Sequence, residues 1–255
     1  MTKATWHLRQ CSLIGSRELN EDVVLVDFIP MGKKGAWLCI VSDGMGGMEG
    51  GACAAQECTR QSFSTAQKVI ADKGKALFYQ GGGKVLQSAL EKMPRAAPSA
   101  KGGATLVLLA LCLDRFKDGY RAIVIWAGDS RACALDAEMK LQTLTRDDVD
   151  EMGHLTAFYD AATGRFAGEL HMEEVVFPRQ PLAFGVTTDG FHDSCESGEM
   201  SSFLAYNLLQ PDCDFMETTQ EFIALNISDN ATCGFVLRKN RLPKKELEQI
   251  VRGER

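Results

Sequence analysis

Val41-Ser-Asp-Gly-Met-Gly-Gly-Met-Glu-Gly-Gly51 is the stretch on which the rest of the chain is organised. The apolar run Ala36–Val41 ends in Ser42 and Asp43, and the backbone then enters a turn dense in glycine. A buried strand that stops at a carboxylate and a glycine-rich turn delivers an oxygen ligand to a sheet edge. Such an edge suits a metal ion or a phosphate, although Asp-Gly is also an ordinary turn signal. The question for the remaining sequence is whether other carboxylates reach strand ends to meet Asp43.

The 255 residues suffice for a sizeable core without disulfide or metal staples. Hydrophobic residues make up 45% and charged residues 24%, an ordinary globular balance. A net charge of −6 argues against a nucleic-acid backbone as the main partner, which needs clustered Lys and Arg. The first residues lack the apolar segment of a secretory signal and no run approaches a membrane span, so a cytoplasmic protein with no membrane partner is expected. Nine cysteines with no C-x-x-C pair read as reduced, mostly buried thiols.

Short apolar runs bounded by Gly, Asp or Pro predict strands over Val23–Ile29, Ala36–Ser42, Ala104–Leu113, Arg121–Ala127, Arg131–Leu135, Ala183–Thr188 and Cys233–Leu237. Most are apolar without alternation, which implies burial on both faces. Hairpins are expected between Leu113 and Tyr120 and at AGDSR, between Trp126 and Ala132. Helices are expected over Ala52–Ser64, Lys84–Met93, Glu199–Leu209, Asp214–Leu225 and the closing LPKKELEQIVRGER. Strands and helices come in blocks, favouring α+β layering. Ala96–Gly103 reads as a loose connection, and the polar, weakly periodic Arg146–Gln180 reads as a surface insertion rather than a loop over a site.

Acids recur at strand ends. SRELNED places Arg17, Glu21 and Asp22 before the strand at Val23; TTDGFHD places Asp189, His192 and Asp193 after Thr188; SDN places Asp229 before the last strand; WAGDSR carries Asp129. Each abuts a buried strand and is carried toward a sheet edge. Oxygen-only donors select hard cations such as Mg²⁺ or Mn²⁺, and the lack of paired His or Cys argues against zinc. Cys11–Arg17, CSLIGSR, also matches the C-x5-R spacing of a cysteine-dependent phosphatase. Such a loop needs a following helix N-terminus, and here ELNED and a strand follow.

RELNED, VSDGMGG, GGATLVLL, WAGDSRA, LTRDD, TTDGFHD and SDNAT, in that order from about Cys11 to Leu237, resemble the successive motifs of the metal-dependent protein phosphatases, protein phosphatase type 2C. The resemblance implies a four-layer αββα sandwich, two mostly antiparallel sheets flanked by helix pairs. It implies a single catalytic domain over 1–240, a variant flap region over 145–182 and a C-terminal helical extension over 241–255. By matching position, Asp43 would bridge two Mn²⁺ or Mg²⁺ ions and the Gly44 carbonyl would bind one. Asp189 and Asp229 would complete one metal's ligands, and Glu21 or Asp22 would lie near the other. In bacterial-type members a third, weaker metal is held near the positions matching Asp129 and Asp193, and Arg17 matches the phosphate-binding arginine. The implied activity is hydrolysis of phosphoserine and phosphothreonine in protein substrates of a Ser/Thr kinase, by a monomer, without a phosphoenzyme. Competing readings are a binding module that retains the fold and a phosphatase of small molecules.

Two features depart from the family pattern. Met45 stands where some members carry a histidine acid, and the region after LTRDD lacks the usual flap element. His192, isolated in a turn, reads as a hydrogen-bonding bystander. Gly46 and Gly47 are expected to turn the backbone into the helix near Ala52.

Overall fold

The computed structural model describes residues 5–45, 50–94, 101–195, 197–223, 228–239 and 243–252. Gly46 and Gly47, most of the Ala96–Gly103 connection, Leu225 and the ends of the C-terminal extension lie outside them.

In chain order the elements are β1 (Trp6–Leu13), β2 (Val23–Met31), β3 (Lys34–Ser42), α1 (Gly51–Lys73), α2 (Gly83–Glu91), β4 (Gly103–Ala104), β5 (Leu106–Cys112), β6 (Tyr120–Ala127), β7 (Arg131–Leu135) and β8 (Leu141–Thr143). They continue with β9 (Phe158–Asp160), β10 (Arg165–Ala167), β11 (His171–Phe177), β12 (Ala183–Thr187), α3 (Asp189–His192), α4 (Ser197–Leu209), α5 (Phe215–Ile223), β13 (Ala231–Arg238) and α6 (Lys244–Val251). One five-stranded sheet runs β1-β13-β12-β7-β8, a second runs β11-β6-β5-β3-β2, and a small sheet runs β10-β9-β4. The pairings within them are antiparallel.

The double-sided apolar strands explain the layering. In β3, Leu38 and Ile40 face Ala54, Ala55, Cys58 and Ile70 of α1, while Trp37, Cys39 and Val41 face the other sheet at Phe184, Val186 and Val236. The β1-β13-β12-β7-β8 sheet repeats this: Cys133, Leu135, Phe235 and Leu237 turn outward onto Phe203, Leu204 and Leu208 of α4, Phe215 of α5, and Leu247 and Ile250 of α6. Successive strand side chains point to opposite faces, so one apolar run feeds two cores. The result is helix, sheet, sheet, helix, an α+β sandwich with three apolar layers.

Three expectations need correction. AGDSR is not a hairpin: β6 pairs with β5 and β11, whereas β7 pairs with β12 and β8, so Gly128–Ser130 carries the chain from one sheet to the other. Both flanking strands are apolar on two faces, and this crossing is what lets each join its own buried sheet. Arg146–Gln180 is no loose insertion, since it contains β9, β10 and β11, with Tyr159 fully buried in the core under α1. Its strands are short or half-polar, which hides them from a search for apolar runs. β1, which carries Cys11, was missed for the same reason: it is a sheet edge on which exposed and buried positions mix.

Candidate metal and phosphate site

The strand ends meet at one end of the sandwich. Arg17, Glu21, Asp43, Gly44, Met45, Thr105, Asp129, Leu155, Asp189 and Asp229 line a cleft of about 180 Å³. β3 leads to Asp43, whose amide donates to Thr105 Oγ1 at 2.9 Å and whose carbonyl accepts from the Thr105 amide at 2.8 Å. Ser130 Oγ lies 2.7 Å from Thr105 Oγ1 and so ties the Asp43 backbone to the loop that carries Asp129. At Gly44 a Cβ would lie 2.5 Å from the Gly51 carbonyl carbon, so only glycine lets α1 start this close to the end of β3. Glu21 Oε1 accepts from the Ala52 amide at 3.2 Å, placing its charge against the positive end of α1.

Asp189 and Asp229 are each oriented by the next residue's amide, Gly190 N to Asp189 Oδ1 at 2.6 Å and Asn230 N to Asp229 Oδ1 at 2.7 Å. Arg17 Nη2 donates to Asp229 Oδ2 at 2.5 Å, so the expected phosphate-binding residue and an expected metal ligand hold one another. Asp22 does not line the cleft but lies beneath it, 8% exposed, accepting from Thr188 Oγ1 at 2.9 Å, while its Oδ1 has no partner. Asp193 stands outside the lining, near enough to Asp129 to repel it.

Asp22, Asp43 and Asp189 lie close enough together for their charges to act on one another. Burial, then the Asp189 charge, pushes Asp22 up to about 7, and burial with the charges of Asp22, Asp189 and Asp129 raises Asp43 well above the carboxylate range. Burial, then Asp189, lifts Asp129 to about 6, and burial also raises Asp193. Acids gathered and buried in this way raise one another's affinity for a proton, and by the same charge for a cation. Among the described residues no three or more His, Cys, Asp or Glu side chains form a ready-made cage. The donor set nevertheless fits a hard cation: oxygen only, crowded, repelling, and with a buried carboxylate oxygen unpartnered.

His192 is not among the cleft-lining residues, and its Nε2 lies 3.6 Å from Asp193 Oδ1. Its Nδ1 is 3.1 Å from Thr187 Oγ1, and burial, then Arg131, pushes its pKa down to about 3, so it is neutral. Cys11 is buried in β1 with Sγ 3.2 Å from Met216 Sδ, and burial pushes its thiol up to about 11. A protonated thiol inside a strand is no nucleophile, which removes the C-x5-R reading. All nine cysteines are free. Sequence reasoning missed Thr105, Asn230 and Leu155. The first two sat within GGATLVLL and SDN, yet their task is to orient backbone: Asn230 Oδ1 accepts from the Glu21 amide at 2.8 Å, and its Nδ2 donates to Ile14 and Leu19 carbonyls.

A double antiparallel sandwich between helix layers, with acids from distant segments meeting at one end, defines the architectural class. The family model for protein phosphatase 2C matches residues 12–230, and the chain belongs to that family. Among solved structures, a sex-determining protein of C. elegans aligns with TM-score 0.67 at 16% identity, over 96% of this chain and 67% of its own. PppA, a regulatory component of the T6SS of Pseudomonas aeruginosa, aligns with TM-score 0.58 at 21% identity, over 91% and 97%. The Mycobacterium tuberculosis serine/threonine phosphatase PstP/Ppp aligns with TM-score 0.58 at 18% identity, over 92% and 99%. At these identities the likeness is one of fold. Comparison with curated proteins gave no significant match. No helix among the described residues is long and apolar enough to cross a membrane.

Proposed function

We propose that this protein is a metal-dependent protein serine/threonine phosphatase acting on phosphorylated protein substrates. The observation that carries the reading is the convergence of Asp43, Asp129, Asp189 and Asp229 on one cleft with Arg17 among its lining residues. Asp43, the Gly44 carbonyl, Asp189, Asp229 and Glu21 or Asp22 would hold two Mn²⁺ or Mg²⁺ ions, and Asp129 with Asp193 a third. Bound cations of this kind supply charge that activates water and offsets charge on the phosphoryl group.

The chain's own residues do the rest. Arg17 has a side chain 45% exposed, and its pair with Asp229 is a surface ion pair worth about 1 kcal/mol or less, so a phosphate dianion competes for it readily. Its planar fork then holds two phosphate oxygens and orients the phosphorus. Met45 has no proton to give and His192 lies outside the cleft lining, so the leaving alkoxide takes its proton from solvent. The buried Cys11 supplies no covalent route.

Phosphate release from phosphoserine and phosphothreonine peptides, beside an aryl phosphate, tests the reading. With Mn²⁺ the peptides should be hydrolysed, chelation should stop the reaction, and Asp43→Asn should fall to near background. Full activity in Asp43→Asn would overturn the site assignment. A protein inert with both Mn²⁺ and Mg²⁺ would favour the binding-module reading.

A further inference from the structure

The loop that carries Asp129 is gripped from both sides by two adjacent carboxylates that do not line the cleft. Upstream, the Gly128 amide donates to Asp148 Oδ2 at 3.0 Å, and the Asp148 amide donates to the Gly128 carbonyl at 3.1 Å. Downstream, Arg131 donates Nε and Nη2 to the two oxygens of Asp147 at 2.9 and 2.6 Å. Gly128 has φ +108°, and a Cβ there would lie 2.7 Å from Thr105 Cγ2. A bend with that backbone needs external fixing to stay in one place.

The fixing extends to a histidine. Asp148 Oδ1 lies 2.9 Å from His171 Nε2, and these side chains are only 12% and 29% exposed. The His171 ring is stacked on Trp126, with centroids 5.1 Å apart and an interplanar angle of 24°. Trp126 and His171 are directly opposed in the β6–β11 ladder, and Trp126 stands two residues before Gly128. One side chain therefore touches both the strand that enters the loop and the carboxylate that holds it.

We propose that His171 is a positioning residue for Asp129, acting through Asp148 and Gly128 to hold that carboxylate in the cleft against the like charges of Asp189 and Asp193. The consequence for cation binding rests on the role proposed above for Asp129; the placement of the loop does not. A ring stacked on tryptophan with its Nε2 against the Asp148 carboxylate is a rigid strut, and removing such outer partners of a metal ligand typically costs about 10–100-fold in affinity or activity.

The test uses the full chain. His171→Phe keeps the plate over Trp126 but removes the nitrogen that meets Asp148, and His171→Gln restores a polar nitrogen without the ring. Amide exchange across Gly128–Arg131 should quicken about tenfold or more in His171→Phe, with β5 unchanged, and should recover largely in His171→Gln. Mn²⁺ binding, read by calorimetry, should weaken about tenfold in His171→Phe, whereas in an Asp129→Asn background the same change should add nothing. Unchanged exchange across Gly128–Arg131, or an equal loss of Mn²⁺ affinity in the Asp129→Asn background, overturns the inference. A wild-type protein that binds no Mn²⁺ overturns the proposed function instead, and the exchange comparison then decides the role of His171 by itself.

Discussion

Neutralising Asp22 should stabilise the cation-free protein, by an amount that depends on pH. Asp22 is 8% exposed, has one unpartnered oxygen and feels the charge of Asp189. Its pKa near 7 stands well above the ordinary 3.8, chiefly through burial. At about 1.36 kcal/mol per pH unit, forcing the charge onto it above pH 7 costs on the order of 4 kcal/mol. Neutralising it also relaxes Asp43 and Asp189, and replacement by an amide reorganises the local hydrogen bonds, so a net gain of roughly 2–4 kcal/mol is expected for Asp22→Asn at pH 8. For a chain of this size that is about 5–10 °C in Tm. A raised native pKa means that the native state binds more protons than the unfolded chain between about pH 4 and 7. Wild-type stability from this group is therefore present below pH 4 and lost as pH rises through 7. Melts of wild type and Asp22→Asn in EDTA at pH 5 and pH 8 measure it: the gap should be large at pH 8 and shrink at pH 5. A gap independent of pH, or a variant less stable than wild type at pH 8, would refute the electrostatic reasoning. The Thr188 hydroxyl keeps an acceptor in the variant, so lost hydrogen bonding does not confuse the sign.

Other outcomes are checked more simply. Arg17→Lys should change the melting free energy by under about 1 kcal/mol, since its pair with Asp229 is exposed, yet should raise KM for a phosphopeptide because the planar fork is lost. Gly128→Ala should destabilise by about 1–3 kcal/mol or more in urea melts, from positive φ and the approach to Thr105. Trp37→Ala, a fully buried side chain between the sheets, should cost about 3–5 kcal/mol in the same measurement. Cys11→Ser should leave phosphatase activity within a small factor of wild type, because the thiol lies in β1 away from the cleft lining; loss of activity with an unchanged melt would contradict the site.

Much of the candidate cleft was legible because an acid at the end of an apolar run can be read directly from the sequence. Asp43, Asp129, Asp189 and Asp229 could each be named from an acid following or preceding an apolar run, and all four line the cleft. Glu21 and Asp22 could not be told apart by spacing, since adjacent residues at a strand start face opposite ways. The structure separates them: Glu21 lines the cleft and accepts from the Ala52 amide of α1, while Asp22 lies outside the lining and meets Thr188. Asp193 stands outside the lining, and only distance in space reveals that.

What the sequence by itself determined is the layering and the inventory of acids, because double-sided apolar strands such as β3 and β5 must be covered on both faces and carboxylates at their ends must surface at one edge. Tertiary structure alone decided which sheet each strand joins, that Gly128–Ser130 crosses between sheets, that His192 lies outside the cleft lining, and that Asp147 and Asp148 hold the two sides of the Asp129 loop with His171 against Asp148. Those facts depend on partners far apart in the chain, such as Ser12 with Thr232 or Trp126 with His171, and local propensity carries no information about which distant strand will supply the partner.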